Sequence, residues 1–224
     1  ISDKAITKAF NDNLTGVESV FASTPVLVVP DQTIIQNNAS SPVVNSSSTV
    51  LAIDPTTYSK VMSVTFSDDT TSNVYERLED NNTILLTSPL AKSLNASVGD
   101  EVKIRYLDHE NRTGEQIVEI STPYGTQQQT IYYNYTVPVL AWKNFTVVGI
   151  AQGAWLDVMS FGNFVLSEAS YISYNNLNAT FPNSFSDYND TANVFFVKLQ
   201  PNTNIEQTKT SIQNSYGEEY KLSI

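Results

Sequence analysis

Apolar residues in this chain come in short runs, separated by glycine, proline and clusters of asparagine and serine. Near the start, Ala5, Ile6, Ala9 and Phe10 recur at helical spacing, with Ser2 or Asp3 placed to cap the helix and Gly16 to stop it. Val17–Val29 is β-rich, and Pro25 within it marks a bulge or an edge. Residues 32–49 are polar, with Asn37, Asn38 and three consecutive serines, and read as an exposed loop. Val50–Ile53 reads as a short buried strand. Asp54-Pro55 ends it, and Pro55 suits the first turn of a helix reaching Met62.

The middle of the chain is richer in strands. Thr83–Thr87 leads into a short helix carrying Leu90, Ala91 and Leu94, and Val98-Gly99-Asp100 turns the chain into 101–107. There Val102, Ile104 and Tyr106 alternate with polar residues. The run Asp108–Gly114 reads as a polar hairpin connection, with strands at 116–120, 129–135 and 145–150 after it. A strand at 163–166 and a helix near 167–174 complete this section. Short strands with polar turns predict a small twisted sheet or an open barrel.

The last stretch mirrors the first. Val194–Leu199 is a strong strand, Thr203 with Glu206 forms a capping box, and Ile205, Thr208 and Ile212 share a helix face ending at Gly217. A last strand is expected after it. The fold class expected is α+β, a two-part module. Residues 1–66 plus 192–224 form an α/β layer from both termini, and 67–191 form an inserted β-rich subdomain. The chain opens mid-helix and closes on a strand-like segment, which reads as a soluble portion of a longer, membrane-tethered protein.

Charge narrows the function classes. Twelve basic against 23 acidic residues give a net charge of −11. Such a surface repels phosphate backbones, which excludes nucleic acid as a partner. Cysteine is absent, which removes thiol catalysis, cysteine-based metal sites and disulfides. No run reaches the roughly 18–20 apolar residues that cross a bilayer as a helix. Ten Asn-x-Ser/Thr acceptors occur, at Asn13, Asn38, Asn45, Asn81, Asn95, Asn111, Asn134, Asn144, Asn178 and Asn189. Composition alone gives about five. The excess fits a protein whose outer surface carries sugar, and plain Asn/Ser/Thr richness is the alternative.

Catalytic chemistry is thinly represented. The single histidine, His109, sits with Asp108, Glu110 and Arg112 in the expected turn, where neighbours in sequence do not converge as base and orienting group. A solvated turn histidine is the reading. The carboxylate groups Asp68-Asp69, Glu79-Asp80 and Asp187 with Asp190 lie in polar, loop-like sequence. Hydration is their ordinary role; calcium ligation and glycoside hydrolysis are the alternatives, without supporting spacing. Tyr132, Tyr133 and Tyr135 form an aromatic cluster around Asn134. Half-buried sheet packing is the reading there, with a sugar or peptide platform as the alternative, because Tyr132 faces away from the other two rings. Neither GxxxxGK[ST] nor GxGxxG occurs. No catalytic, cofactor or metal residue is assigned.

Four phrases carry a resemblance: Thr15–Val20, Leu51–Tyr58, Ile84–Leu94 continuing through Val98–Val102, and Phe145–Ile150. In this order they resemble the extracytoplasmic core domain of MacB/FtsX-like ABC transporter permeases, a group that includes the lipoprotein-release permeases. The resemblance implies a porter-like membrane-proximal layer and a sabre-like insert, hung between membrane helices that flank the chain. It also implies a separate cytoplasmic ATPase subunit, a possible second permease copy, and structural rather than catalytic motifs. The remaining readings are a free cell-surface glycan- or protein-binding module and a secreted hydrolase.

Overall fold

The computed structural model describes residues 6–36, 44–67, 73–152, 160–161, 164–165, 168–180, 190–222 and 224. The chain begins with strand β1 (Ile6–Thr7) and helix α1 (Phe10–Thr15). The helix expected from Ala5 therefore starts later than its spacing indicated, and Ser2 and Asp3 lie outside the described residues. Ile6 and Thr7 instead pair antiparallel with Ala192 and Thr191 of β11 (Thr191–Ala192), which satisfies backbone groups that a helix start would leave open. A six-residue helix has little stability of its own. Burial of Phe10 and Leu14 holds α1 in place.

Strand β2 spans Val20–Gln36 and β3 spans Val44–Ile53. Much of the segment read as a loop is thus strand: Gln32 pairs with Ser48, Ile34 with Ser46 and Gln36 with Val44. The serines misled the reading because Ser46 and Ser48 share a face with the buried Ile34 and Gln36 of the partner strand while carrying no apolar period of their own. The asparagines at 37 and 38 lie outside the described residues. Pro25 stands one position beyond the start of the β2–β3 ladder at Val26, where a missing N–H costs nothing on that side. The irregularity in that ladder falls later, between Val29 and Gln32, where Asp31 adopts a left-handed φ of 56°.

Asp54 caps helix α2 (Pro55–Val61), its Oδ1 accepting from the N–H groups of Thr56 (2.9 Å) and Thr57 (3.3 Å). Then come β4 (Thr65–Phe66), α3 (Val74–Arg77), β5 (Thr83–Thr87) and α4 (Ser88–Leu94). Gly99 turns the chain with φ 94°, a value open to glycine. Two very long strands follow, β6 (Glu101–Thr122) and β7 (Gly125–Gln152). The short pair β8 (Ser160–Phe161) and β9 (Phe164–Val165) precedes β10 (Ala169–Ser173) and helix α5 (Tyr174–Thr180). The helix expected near 167–174 is therefore a strand that hands over to a helix at Tyr174. Ala169–Ser173 is captured by parallel pairing to Thr49–Ile53.

After β11 come β12 (Val194–Leu199) and helix α6 (Ile205–Tyr220). Asn204, not Thr203, caps α6 by accepting from the Gln207 N–H. Gly217 lies inside the helix, which ends only where Lys221 turns left-handed with φ 51°. The expected last strand is absent from the described residues. Leu222 folds back into the terminal core instead, because its N–H bonds the Gly217 carbonyl.

The strand ladders close into a ring. β2 pairs with β3, β3 with β10, β10 with β5, β5 with β7, β7 with β6, and β6 returns to β2 through Ile34↔Ile104. β12 and β4 extend the sheet from β2 and β7. Strands from the stretch 67–191 thus share one sheet with strands from 20–53. Leu27, Ile34, Val50, Ile84, Val102, Phe145 and Ile172 fill one core with α4 and α5, while alternate residues such as Val26, Leu51, Leu85 and Tyr171 face a second core beneath α2 and α3. Burial on both faces explains the unbroken apolar runs in β2, β3 and β5.

A third core joins the two ends of the fold. Ile6, Phe10 and Leu14 meet Ile212, Phe195, Tyr216, Tyr220 and Leu222. Phe10 is its hub, edge-on to Phe195 at 5.3 Å and to Tyr216 at 5.4 Å, and 4.3 Å from Tyr220. Truncation to alanine should destabilise the protein by about 3–5 kcal/mol in denaturant melts. Asp31→Val should cost about 1–2 kcal/mol because a β-branched residue resists the left-handed region, whereas Asp31→Gly should be tolerated.

Candidate functional site

The feature that leaves the body of the fold is the β6–β7 hairpin. Pairing is continuous from Glu101↔Thr146 to Thr122↔Gly125, with Pro123–Tyr124 at the tip. Thr122 Oγ1 accepts from the Tyr124 N–H at 3.3 Å and donates to the Gly125 carbonyl at 2.6 Å, closing the turn. Only Val102–Ile104 of β6 also pairs with β2. Beyond them the ribbon has two strands, and at about 3.4 Å per residue residues 105–122 reach roughly 60 Å.

Asp108–Gly114 is therefore mid-strand, not a turn. Asp108 pairs with Val139, His109 with Pro138 and Gly114 with Tyr133. The alternating apolar positions 131, 133, 135, 137, 139 and 141 on the return strand held the pairing open past every polar residue between them. That period of two was the sequence signal for the long hairpin. His109 projects from the face opposite Asp108 and Glu110, so neither carboxylate orients its ring. Asp108 Oδ1 accepts from the His109 backbone N–H at 2.8 Å, and Glu110 pairs with Arg112 at 3.1 Å.

The tyrosines are more exposed than sheet packing predicted. Tyr132 is 69% exposed, and Tyr133 and Tyr135 are 49% and 42% exposed, because no second layer among the described residues covers the ribbon. Tyr133 and Tyr135 share a face with ring centroids 5.8 Å apart. Tyr133 also lies over Gly114, where a Cβ would sit 2.8 Å from its ring. The ring there fills the space a side chain would occupy. Leu107, Leu140 and Trp142 are exposed on the other face.

Among the sequon asparagines, Asn13, Asn45, Asn81, Asn95, Asn111, Asn134 and Asn144 are all exposed. Asn176, which is buried and donates to the Leu78 and Asp80 carbonyls, is not in a sequon. Asn178 lies in α5, and Asn38 and Asn189 fall outside the described residues.

The carboxylates do not converge. Asp68, Asp69 and Asp187 lie outside the described residues. Glu79 accepts from Ser173 Oγ at 2.9 Å and Asn175 Nδ2 at 2.7 Å, and Asp190 stands 3.8 Å from Lys8. Glu79 lines a polar recess of about 490 Å³ together with Lys8, Asp12, Asp54 and Asn175. Two of its three acids are held in structure, since Asp54 caps α2 and Glu79 holds the β10–α5 junction. No group of three or more metal-ligating side chains occurs among the described residues. Under α2 and α3, Tyr58, Tyr75 and Tyr171 pack with ring centroids 5.9–6.3 Å apart around Tyr58. Burial pushes the Tyr75 phenol up to about 12, and burial with its tyrosine neighbours holds Tyr58 well above the usual phenol range. The Tyr75 hydroxyl is buried without a hydrogen-bond partner.

A closed ring of strands with helices on both faces and a projecting ribbon define a two-part α+β domain. The sequence matches the family described as MacB-like periplasmic core domain over residues 2–215, and the chain belongs to that family. No curated protein matches it in sequence. Its fold is similar to the extracellular domain of the noncanonic ABC-type transporter YknZ from Gram-positive bacteria. That comparison has 12% identity and a TM-score of 0.54, and covers 98% of this chain and 86% of the other. It is also similar to the periplasmic region of MacB from Actinobacillus actinomycetemcomitans, with 10% identity, a TM-score of 0.50 and coverage of 99% and 76%. This is a periplasmic or extracellular domain of a transporter permease. No described helix is long and apolar enough to cross a membrane.

The buried tyrosines make stability depend on alkaline pH. The unfolded chain ionises its tyrosines from about pH 10. Folded Tyr75 keeps its proton until about pH 12. Stability present below pH 10 is therefore lost as pH rises through that window. Tyr75→Phe should shrink the loss in pH-dependent melts. At pH 7 it should be neutral or stabilising, because it deletes a buried hydroxyl that has no partner.

Proposed function

We propose that this domain couples ATP hydrolysis by a cytoplasmic subunit to movement of substrate or partner outside the membrane, with no catalytic step of its own. The observation that carries the reading is the terminal core, in which α1 and α6 pack on one sheet face around Phe10. Membrane helices continuing from both ends would start side by side and act on one rigid corner.

From that corner β2 runs without a break to the base of the hairpin. Ser23 hydroxyl donates to Asn11 of the terminal corner at 2.7 Å, and Ile34–Gln36 pair with the start of β6. Seventeen strand residues span roughly 55 Å, stiff enough to carry a tilt from one end of the body to the other. In this reading, the layer built from both ends is the driven part and the hairpin is the working arm, exchanging between arrangements as the ATPase cycles. A second permease copy would set two arms face to face.

The chain lacks cysteine, so Tyr124→Cys in the full-length permease provides a single probe within this domain, at the hairpin tip. A membrane-impermeant maleimide should label it in intact cells, and labelling only after lysis would refute an outside location. With the ATPase subunit present, a fluorophore at this position should change its signal between nucleotide-free and ATP-bound states; an invariant signal would refute the coupling.

A further inference from the structure

We infer that the sheet has one sugar-bearing face: Asn45, Asn111, Asn134 and Asn144 accept N-linked glycans on the same side, and the opposite side of the ribbon stays bare. The inference rests on the extracytoplasmic reading above, because the transferring enzymes act there.

The strand register carries it. Asn45 lies opposite Ile35, Ile35 opposite Lys103, and Lys103 opposite Asn144, so the row across four strands projects from one face. Even steps along β6 from Lys103 reach Asn111, and even steps along β7 from Asn144 reach Asn134. All three asparagines of the hairpin thus stand on one side. The other side carries Ile131, Tyr133, Tyr135, Val137, Val139 and Ala141, and no acceptor.

The acceptors at Asn111 and Asn134 also interlock. Asn111 pairs with Thr136, the hydroxyl residue of the other sequon, and Thr113 pairs with Asn134. Thr136 Oγ1 donates to Asn111 Oδ1 at 2.9 Å, and Thr113 Oγ1 donates to Asn134 Oδ1 at 3.1 Å. Both bonds use the amide oxygen, whereas a glycan is attached through Nδ2, so they persist after modification. In the transfer, the bond between the sugar anomeric carbon and the phosphate oxygen of a polyprenyl-phosphate-linked oligosaccharide breaks. The carbon–Nδ2 bond forms, the amide proton passes to a base of the transferring enzyme, and the lipid phosphate leaves. A two-stranded ribbon with open edges and exposed apolar side chains invites pairing with another copy. Bulky hydrophilic groups along one face oppose it while leaving the other free for contact.

The test is glycopeptide mass spectrometry on the full-length protein purified from the cells that naturally make it. Asn→Gln at each of the four positions and Thr113→Val and Thr136→Val are compared by gel mobility. Sugar on three or four of these asparagines, each lost stepwise with its own variant, is the expected result. Sugar on two or fewer overturns the inference. Because the maleimide experiment reports location independently, a domain labelled from outside yet bare at these positions rejects the sugar-bearing face alone.

Discussion

Hydrogen bonding along β2 is the constraint on which the rest depends. This strand meets β3 along one edge and β12, then β6, along the other, and its alternate residues enter different cores. A strand used this way has no free face and little free edge, so its neighbours have one register that buries Leu27 and Ile34 on one side and Val26 and Val28 on the other. A slip of one residue would exchange the two sets. The same strand touches the terminal corner at Ser23 and the hairpin base at Gln36, whose amide also donates to Asp100. Fold and proposed mechanism therefore share one mechanical element.

Ring closure and the hairpin solve opposite problems. Within the ring, each strand's polar backbone is satisfied by two neighbours, and residues as large as Phe145 and Leu51 are fully enclosed. Beyond Ile104 the ribbon keeps the ladder between its two strands and pairs with no third strand among the described residues. Two-stranded ribbons are marginal by themselves. This one is held by cross-strand contacts such as Tyr133 on Gly114 and the Thr–Asn pairs, and by anchorage at Val102, Ile104 and Phe145 in the core. Such an element stays extended while exposing side chains, which suits an arm that meets something outside the body.

The polar recess beside α1 collects Asp12, Asp54 and Glu79, yet Asp54 and Glu79 are committed to a helix cap and a strand–helix junction. The buried tyrosines belong to the packing under α2 and α3. Membership of the MacB-like periplasmic core domain family places such a body in a transporter permease.

The sequence by itself determined the local pieces whose signals are chemical and short in range. Asp54-Pro55 set a strand end and a capped helix, Gly99 a turn, and Val194–Leu199 a strand, each within a residue or two of its observed bounds. The four family phrases were equally legible, since they consist of such pieces in order. Apart from the alternation at 131–141, tertiary structure decided where polar sequence becomes strand. Residues 32–36 and 44–49 looked like a loop, and 108–114 like a turn, because no propensity records a partner strand lying alongside. It also decided that Ile6 joins a ladder, that Gly217 stays helical, and that four distant sequons share one face. Register and packing are relations between segments far apart in the chain, and local composition holds only half of each.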